Sequence, residues 1–154
     1  MNKLETTLLL FRKNNKILLA QKKRGFGAGK FNGVGGKIKP NETLEEAMIR
    51  ETKEEIGVVP LDYHYVGVID FIEVVNGEKL NVVMYLFTAS EYEGELVETE
   101  EMKPYWFDIN KIPYDQMFPD DKYWMPYFLN NEDFDASFEF DENWNLLSFK
   151  IVKK

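Results

Sequence analysis

The run RETKEE, from Arg50 to Glu55, sets three carboxylates, Glu51, Glu54 and Glu55, beside one arginine. The residues around it have helical periodicity. At 100° per residue from Leu44, Ala47 and Met48 fall within about 60° of Leu44, forming an apolar stripe that must face a core. Glu51 and Glu55 lie within about 20° of the same line. Burying ionised carboxylates is costly unless they are paired or bound to a cation. Their hard oxygen donors, with no soft ligand nearby, suit a divalent cation such as Mg²⁺ or Mn²⁺. Arg50 stands four residues after Glu46 and four before Glu54, so it is expected to bridge both and orient the cluster. A solvated acidic helix is the alternative, and it leaves the stripe position of Glu51 and Glu55 unexplained.

The flanking sequence must hold this helix in place. Thr43 and Glu46 have capping-box spacing and Gly57 suits a helix C-terminus, so the helix is expected over about Leu44–Ile56. TTLLLFR and KILLAQKK, on either side of Lys13-Asn14-Asn15, read as a strand pair. GFGAGKFNGVGGK is a glycine-rich loop. YHYVGVIDFIEVV and EKLNVVMYLFTA flank Asn76-Gly77, a strong hairpin signal. MKPYWFDI reads as a further strand, DDKYWMPYFLNN as a short second helix with Pro126 as a point of kinking, and ASFEF with LLSFKIV as a last hairpin. The pattern predicts an α+β fold with a mixed sheet and helices on its faces.

The totals exclude several classes. At 154 residues with 44% hydrophobic and 15% aromatic content, one folded domain is expected and disorder is not. No apolar run is long enough to span a membrane and no signal-peptide pattern opens the chain, so the expected location is the cytoplasm. The absence of cysteine removes disulfides, thiolate nucleophiles and cysteine metal sites. A net charge of −8 argues against a duplex nucleic-acid partner. The charge is uneven: residues 1–50 carry 11 Lys and Arg against 4 Asp and Glu, and the remainder 8 against 23. That split suits a small polyphosphate held by a few cations and a metal. GFGAG does not open a helix at once, as a dinucleotide fingerprint must, and Gly36-Lys37 fails the P-loop spacing. The single histidine, His64, rules out two-histidine zinc sites and reads as structural or exposed.

Gly36, Glu42, Arg50-Glu51, Glu54-Glu55 and Gly57, at these spacings, resemble the Nudix box of the Nudix hydrolases. Seven fixed residue types at about 7% usage coincide by chance on the order of once in 10⁸, so the spacing is specific. Thr52 departs from the family's aliphatic preference. KKRGFGAGKFNGVGGK, EEMKPYWFDINKIP and FPDDKYW extend the resemblance to MutT-homologue oxidised purine nucleoside triphosphatases over most of the chain. The resemblance implies a Nudix α/β/α sandwich with a small-molecule nucleotide as substrate; a monomer is expected. It implies hydrolysis of damaged purine triphosphates, 8-oxo-dGTP or 2-hydroxy-dATP, to monophosphate and pyrophosphate. Another nucleoside diphosphate derivative such as ADP-ribose, or a non-catalytic binding domain, are the alternatives; the complete set of box glutamates disfavours the second.

Residue by residue, the resemblance assigns Arg50, Glu51, Glu54 and Glu55 to catalysis. Gly36 (through its carbonyl), Glu51, Glu54, Glu55 and Glu101 become the metal ligands. Lys22 is a nucleotide contact. Thr7, Phe26, Asn32, Phe71, Phe118, Asp120, Asp121 and Trp124 fall at base-pocket positions, with Asn32 and the two aspartates facing the base. Phe118 stands where the mammalian members have tryptophan. Asn81 falls near a pocket-wall position where the mammalian members have methionine.

Overall fold

The computed structural model describes all 154 residues. Its strands are β1 (Asn2–Lys13), β2 (Lys16–Lys22), β3 (Phe31–Asn32), β4 (Val59–Pro60), β5 (His64–Val75), β6 (Glu78–Ala89), β7 (Tyr92–Glu93), β8 (Met102–Asp108), β9 (Phe134–Phe140) and β10 (Leu146–Lys153). Its helices are α1 (Leu44–Ile56) and α2 (Asp121–Leu129), with a single 3₁₀ turn at Tyr114–Gln116.

Leu8, Leu9, Leu10 and Phe11 are all buried, so β1 must be covered on both faces. It lies inside an eight-stranded sheet of order β10-β9-β5-β6-β1-β2-β3, with β8 also paired to β2. The sheet is mixed: β1 with β6 and β5 with β9 run parallel, while β1–β2, β5–β6, β2–β8 and β9–β10 are antiparallel. Side-chain alternation then builds two cores. Leu8, Leu10, Ile17, Leu19 and Phe71 pack against Trp124, Met125 and Phe128 of α2. Leu9, Phe11, Leu18, Ala20 and Phe87 pack against Met48 and Ile56 of α1. The result is the expected α/β/α sandwich.

Turn chemistry accounts for the connections. Asn14 adopts φ 57°, and Asn76 and Gly77 adopt 52° and 78°, the left-handed values that tight hairpins require. Helix α1 starts and stops where the sequence says: the Thr43 hydroxyl accepts from Glu46 N–H, Glu46 accepts from Thr43 N–H, and Gly57 closes the helix at φ 82°. Pro126 forfeits one hydrogen bond inside α2, yet the helix runs on to Leu129 because Trp124, Met125 and Phe128 anchor it in the core. The short strands β3, β4 and β7 escaped the sequence pattern, since two residues carry no periodicity. His64 is exposed and meets Asp133 at 2.8 Å, a surface pairing.

The capping box gives the first testable outcome. Thr43→Ala removes the side-chain acceptor and is expected to cost about 1 kcal/mol, read as a lower urea midpoint with an unchanged slope. Thr43→Ser should restore most of it.

Candidate active site

The buried carboxylate is Glu55, 9% exposed at the end of α1. Its Oε1 accepts the Gly35 N–H at 3.0 Å, joining the helix to the glycine-rich strand entering it. Burial, together with the charges of Glu51 and Glu101, pushes its carboxyl up to about 8, against the pull of Gly35 N–H and Lys22. Glycine is required on this strand for space. A Cβ at Gly35 would lie 1.8 Å from the Thr7 carbonyl oxygen, and one at Gly36 would lie 2.7 Å from Glu51 Cδ.

Arg50 organises the remaining carboxylates, keeping one expected partner, Glu54, and exchanging the other. Its Nε meets Glu42 at 2.6 Å, and its Nη1 meets Glu51 at 2.8 Å and Glu54 at 3.3 Å. Nη2 donates to Glu42 at 2.9 Å and to the Lys37 carbonyl at 3.1 Å. Glu46 is not among the partners, because its carboxylate is committed to capping the helix. Glu42 takes that place, and the Arg50 guanidinium holds its carboxyl down at about 2. Thr52, the departure from the aliphatic preference, is fully buried and gives its hydroxyl to the Met48 carbonyl at 2.7 Å, so no polar atom is stranded.

Glu101 joins this end from the segment before β8. Arg24 grips its carboxylate and lowers its pKa, while its charge is felt by Glu55. Of the three basic residues before the glycine loop, Lys23 pairs with Glu98 and Arg24 with Glu100 and Glu101, leaving Lys22 to line the cavity. The donor set here is entirely hard oxygen, which fits a divalent cation of the Mg²⁺ type. With Arg50 holding Glu51 and Glu54, no three of these groups close around a metal-sized point. The Gly36 carbonyl accepts Thr7 N–H at 2.9 Å and keeps a second lone pair.

On the α2 face of the sheet lies a cavity of about 410 Å³, lined by Lys22, Phe26, Asn32, Gly36, Phe71, Phe118, Asp120 and Asp121 among others. Asn32 Oδ1 accepts Gly33 N–H at 2.8 Å, which turns the amide NH₂ outward as a donor. Asp120 and Asp121 are buried at the start of α2. Burial raises both carboxyls, and the charge of Asp120 adds to the rise at Asp121. Asp121 accepts Phe118 N–H at 3.0 Å. The Phe118 ring stacks on the exposed Phe26 ring at 6.0 Å, and Lys30 Nζ sits 5.6 Å from its centroid.

Three expectations need correction. Trp124 does not line the cavity: it is fully buried, and its Nε1 donates to Asp120 Oδ2 at 2.8 Å, so it positions that aspartate. Thr7 does not line the base cavity, because strand alternation turns Thr6 toward it. Thr7 lines a smaller adjoining cleft, where its buried hydroxyl has no partner. Asn81 is replaced on the wall by Leu80 for the same parity reason, and its amide donates to the Phe71 carbonyl at 3.1 Å. Of the cavity residues that the sequence did not single out, Glu73 and Trp144 carry polar or aromatic chemistry of note. Glu73 looked like one more charge on a strand, and Trp144 belongs to a turn far along the chain.

The NUDIX domain family model matches residues 1–128. The chain is 43% identical to the oxidized purine nucleoside triphosphate hydrolase of Danio rerio, over 94% of this chain and 92% of that protein. It is 40% identical to the Mus musculus protein of the same name, with the same coverage. A mutator MutT protein of Bacillus halodurans shares the fold with a TM-score of 0.84, at 24% identity, covering 96% of this chain and 97% of the other.

The burial of Glu55 predicts a pH-dependent stability. A carboxyl raised from 4.5 to about 8 on folding contributes stability that is fully present below 4.5 and is lost as pH rises through about 8. In chelating buffer at about pH 9, Glu55→Gln is therefore expected to be more stable than the parent by roughly 2–4 kcal/mol. The two should converge at about pH 4.5, as read from denaturant midpoints across that range.

Proposed function

We infer the activity from one premise: this chain belongs to the Nudix family. Its reaction is proposed to be hydrolysis of oxidised purine nucleoside triphosphates to monophosphate and pyrophosphate. The observation that carries this is continuity. The base cavity and the smaller cleft share Lys22, Asn32 and Gly36, and Gly36 lies directly against Glu51. A nucleotide with its base among Asn32, Asp120 and Asp121 would thus reach the carboxylates with its phosphates. The identity to oxidized purine nucleoside triphosphate hydrolases over 94% of the chain supports the same substrate class.

Glu51, Glu54, Glu55 and Glu101, with the Gly36 carbonyl, would hold a divalent cation, Mg²⁺ by preference and Mn²⁺ as a substitute. When bound, such a cation polarises phosphate oxygens and makes a coordinated water more acidic. Arg50 fixes Glu51 and Glu54 so that their oxygens stay together despite their mutual repulsion. Lys22 supplies positive charge between the two ends of the site, where phosphates would pass. Phe26, Phe71 and Phe118 give the base apolar and stacking contacts, and Asn32 donates to its edge. Asp120, oriented by Trp124, and Asp121 meet the base with carboxyls biased to the neutral form, which both donate and accept. The protein is proposed to be a single-domain monomer in the cytoplasm, acting on the nucleotide pool.

The test is a product assay with Mg²⁺ against 8-oxo-dGTP, 2-hydroxy-dATP, the unmodified triphosphates and ADP-ribose. Pyrophosphate and monophosphate from the oxidised purines at the highest kcat/KM are expected. Preference for ADP-ribose, or release of orthophosphate, would overturn the assignment. Under saturating Mg²⁺, Glu55→Gln should lower kcat by several orders of magnitude.

Asp120→Asn tests the base end separately. The amide oxygen can still accept from Trp124, and the NH₂ fixes a donor toward the cavity. The ratio of kcat/KM between 8-oxo-dGTP and 2-hydroxy-dATP should change while the Mg²⁺ requirement does not. Equal losses on both substrates with an altered Mg²⁺ requirement would move Asp120 into the catalytic end.

A further inference from the structure

Strand β5 places Phe71 and Glu73 on one face, and both line the base cavity. Glu73 pairs across the ladder with Leu80, and its nearest strand neighbours on the cavity side are apolar. Its carboxyl is governed by burial and by the charge of Asp120, which push it up to about 7; no protein donor offsets either. A β-strand position facing an aromatic cavity is ordinarily filled by a β-branched or aromatic residue. An unpartnered, desolvated carboxylate there costs free energy and offers nothing to the fold.

Aromatic rings wall the same cavity. Trp144 reaches the cavity from the β9–β10 turn and packs at 5.2 Å from Phe26, 6.1 Å from Phe118 and 5.4 Å from Phe140. It holds a left-handed backbone, φ 64°, that a bulky residue rarely adopts. Asp141 secures the turn by accepting the N–H groups of Asn143 and Asn145, each at 2.9 Å. Trp144 lies beyond residue 128, outside the part of the chain that the family model matches.

Resting on the oxidised-purine reading above, we propose that Glu73 is the residue that separates an oxidised purine from its unmodified parent. It does so by accepting a hydrogen bond from the ring N–H that oxidation creates. The chemistry is common to both kinds of damage. A carbonyl at C8 of guanine places a hydrogen on N7, and the keto form of 2-hydroxyadenine places one on a ring nitrogen beside C2. In each case a bare acceptor becomes a donor. Ionised, as it is above about pH 7, the Glu73 carboxylate only accepts, so it pairs with the oxidised ring and faces a lone pair on the unmodified one. Sites built to hydrogen-bond one group reject analogues lacking it far more strongly than apolar pockets do.

The experiment measures kcat/KM for 8-oxo-dGTP, dGTP, 2-hydroxy-dATP and dATP with the parent, Glu73→Gln and Glu73→Leu. The oxidised-to-unmodified ratio is expected to fall by roughly tenfold or more in both variants, mainly through KM. The routes should differ. Gln can turn its NH₂ to a bare ring nitrogen and so gains unmodified substrate, whereas Leu loses the oxidised one. Thermal stability at or above that of the parent and an unchanged Mg²⁺ titration would accompany this result. If the parent prefers oxidised purines and both variants keep its ratio, or lose activity equally on all four substrates, Glu73 has no such role. A parent without that preference overturns the oxidised-purine reading and this inference with it.

Discussion

One carboxylate, wedged between a helix end and a glycine strand, is the constraint around which this molecule is arranged. Glu55 has a single backbone donor, and the nearby charges of Glu51 and Glu101 make its burial worse. The chain must therefore hold like charges together without a complete set of internal partners. Three devices do so. The capping box fixes the start of α1, which sets the rotation of every glutamate on it. Arg50 ties Glu42, Glu51 and Glu54 to one planar group. Glycine at 35 and 36 lets the strand approach closely enough to reach Glu55 and to leave room for Glu51. Removing any of the three would leave the carboxylate buried but misplaced.

The sheet converts this local strain into a two-ended site. Because β1 is covered on both faces, its alternating side chains feed two cores, and a helix sits over each. The carboxylates belong to α1 and the base cavity to the α2 side. Gly36, Lys22 and Asn32 border both, so the passage between the ends runs past the glycine strand. The uneven charge of the sequence gains a location here. Lys22, Lys30 and Arg50, all from the basic first third, stand against carboxylates at the two ends.

Much of this could be read from the chain because local rules agreed with tertiary needs. Helix α1, both of its caps and the Asn76-Gly77 turn follow from short-range chemistry, and they appear where the sequence puts them. The places that could not be read share one cause: competition among side chains for partners, or strand parity. Glu46 was an expected partner of Arg50, but the capping box claims its carboxylate and Glu42, eight residues away in sequence, takes the place. Thr7 and Asn81 missed the base cavity because each strand admits alternate residues to a face, so an error of one position reverses the direction of a side chain. Trp124 sits on the right helix but spends its N–H on Asp120. Glu73 and Trp144 were silent because a charge on a strand and an aromatic in a turn each have ordinary explanations until the cavity between them is seen.

The two ends also solve the same physical problem in opposite ways. At α1, Arg50 pairs directly with Glu51 and Glu54, while Glu55 beside them has no guanidinium and is pushed up by burial; hard oxygen ligands are what a divalent cation requires. At α2, Asp120 and Asp121 are buried with no cation in contact, and desolvation drives them toward the neutral form, in which a carboxyl can donate as well as accept. Paired charges therefore gather around Arg50, and desolvation favours the neutral form at Glu55, Asp120 and Asp121, where no guanidinium touches the carboxyl. The difference rests on whether a guanidinium is present, since both clusters contain adjacent acidic residues. Acidic pairs in a sequence thus acquire their chemistry from what packs against them. In this chain Arg50 and Trp124 make that choice, one by supplying charge and the other by supplying a single neutral donor.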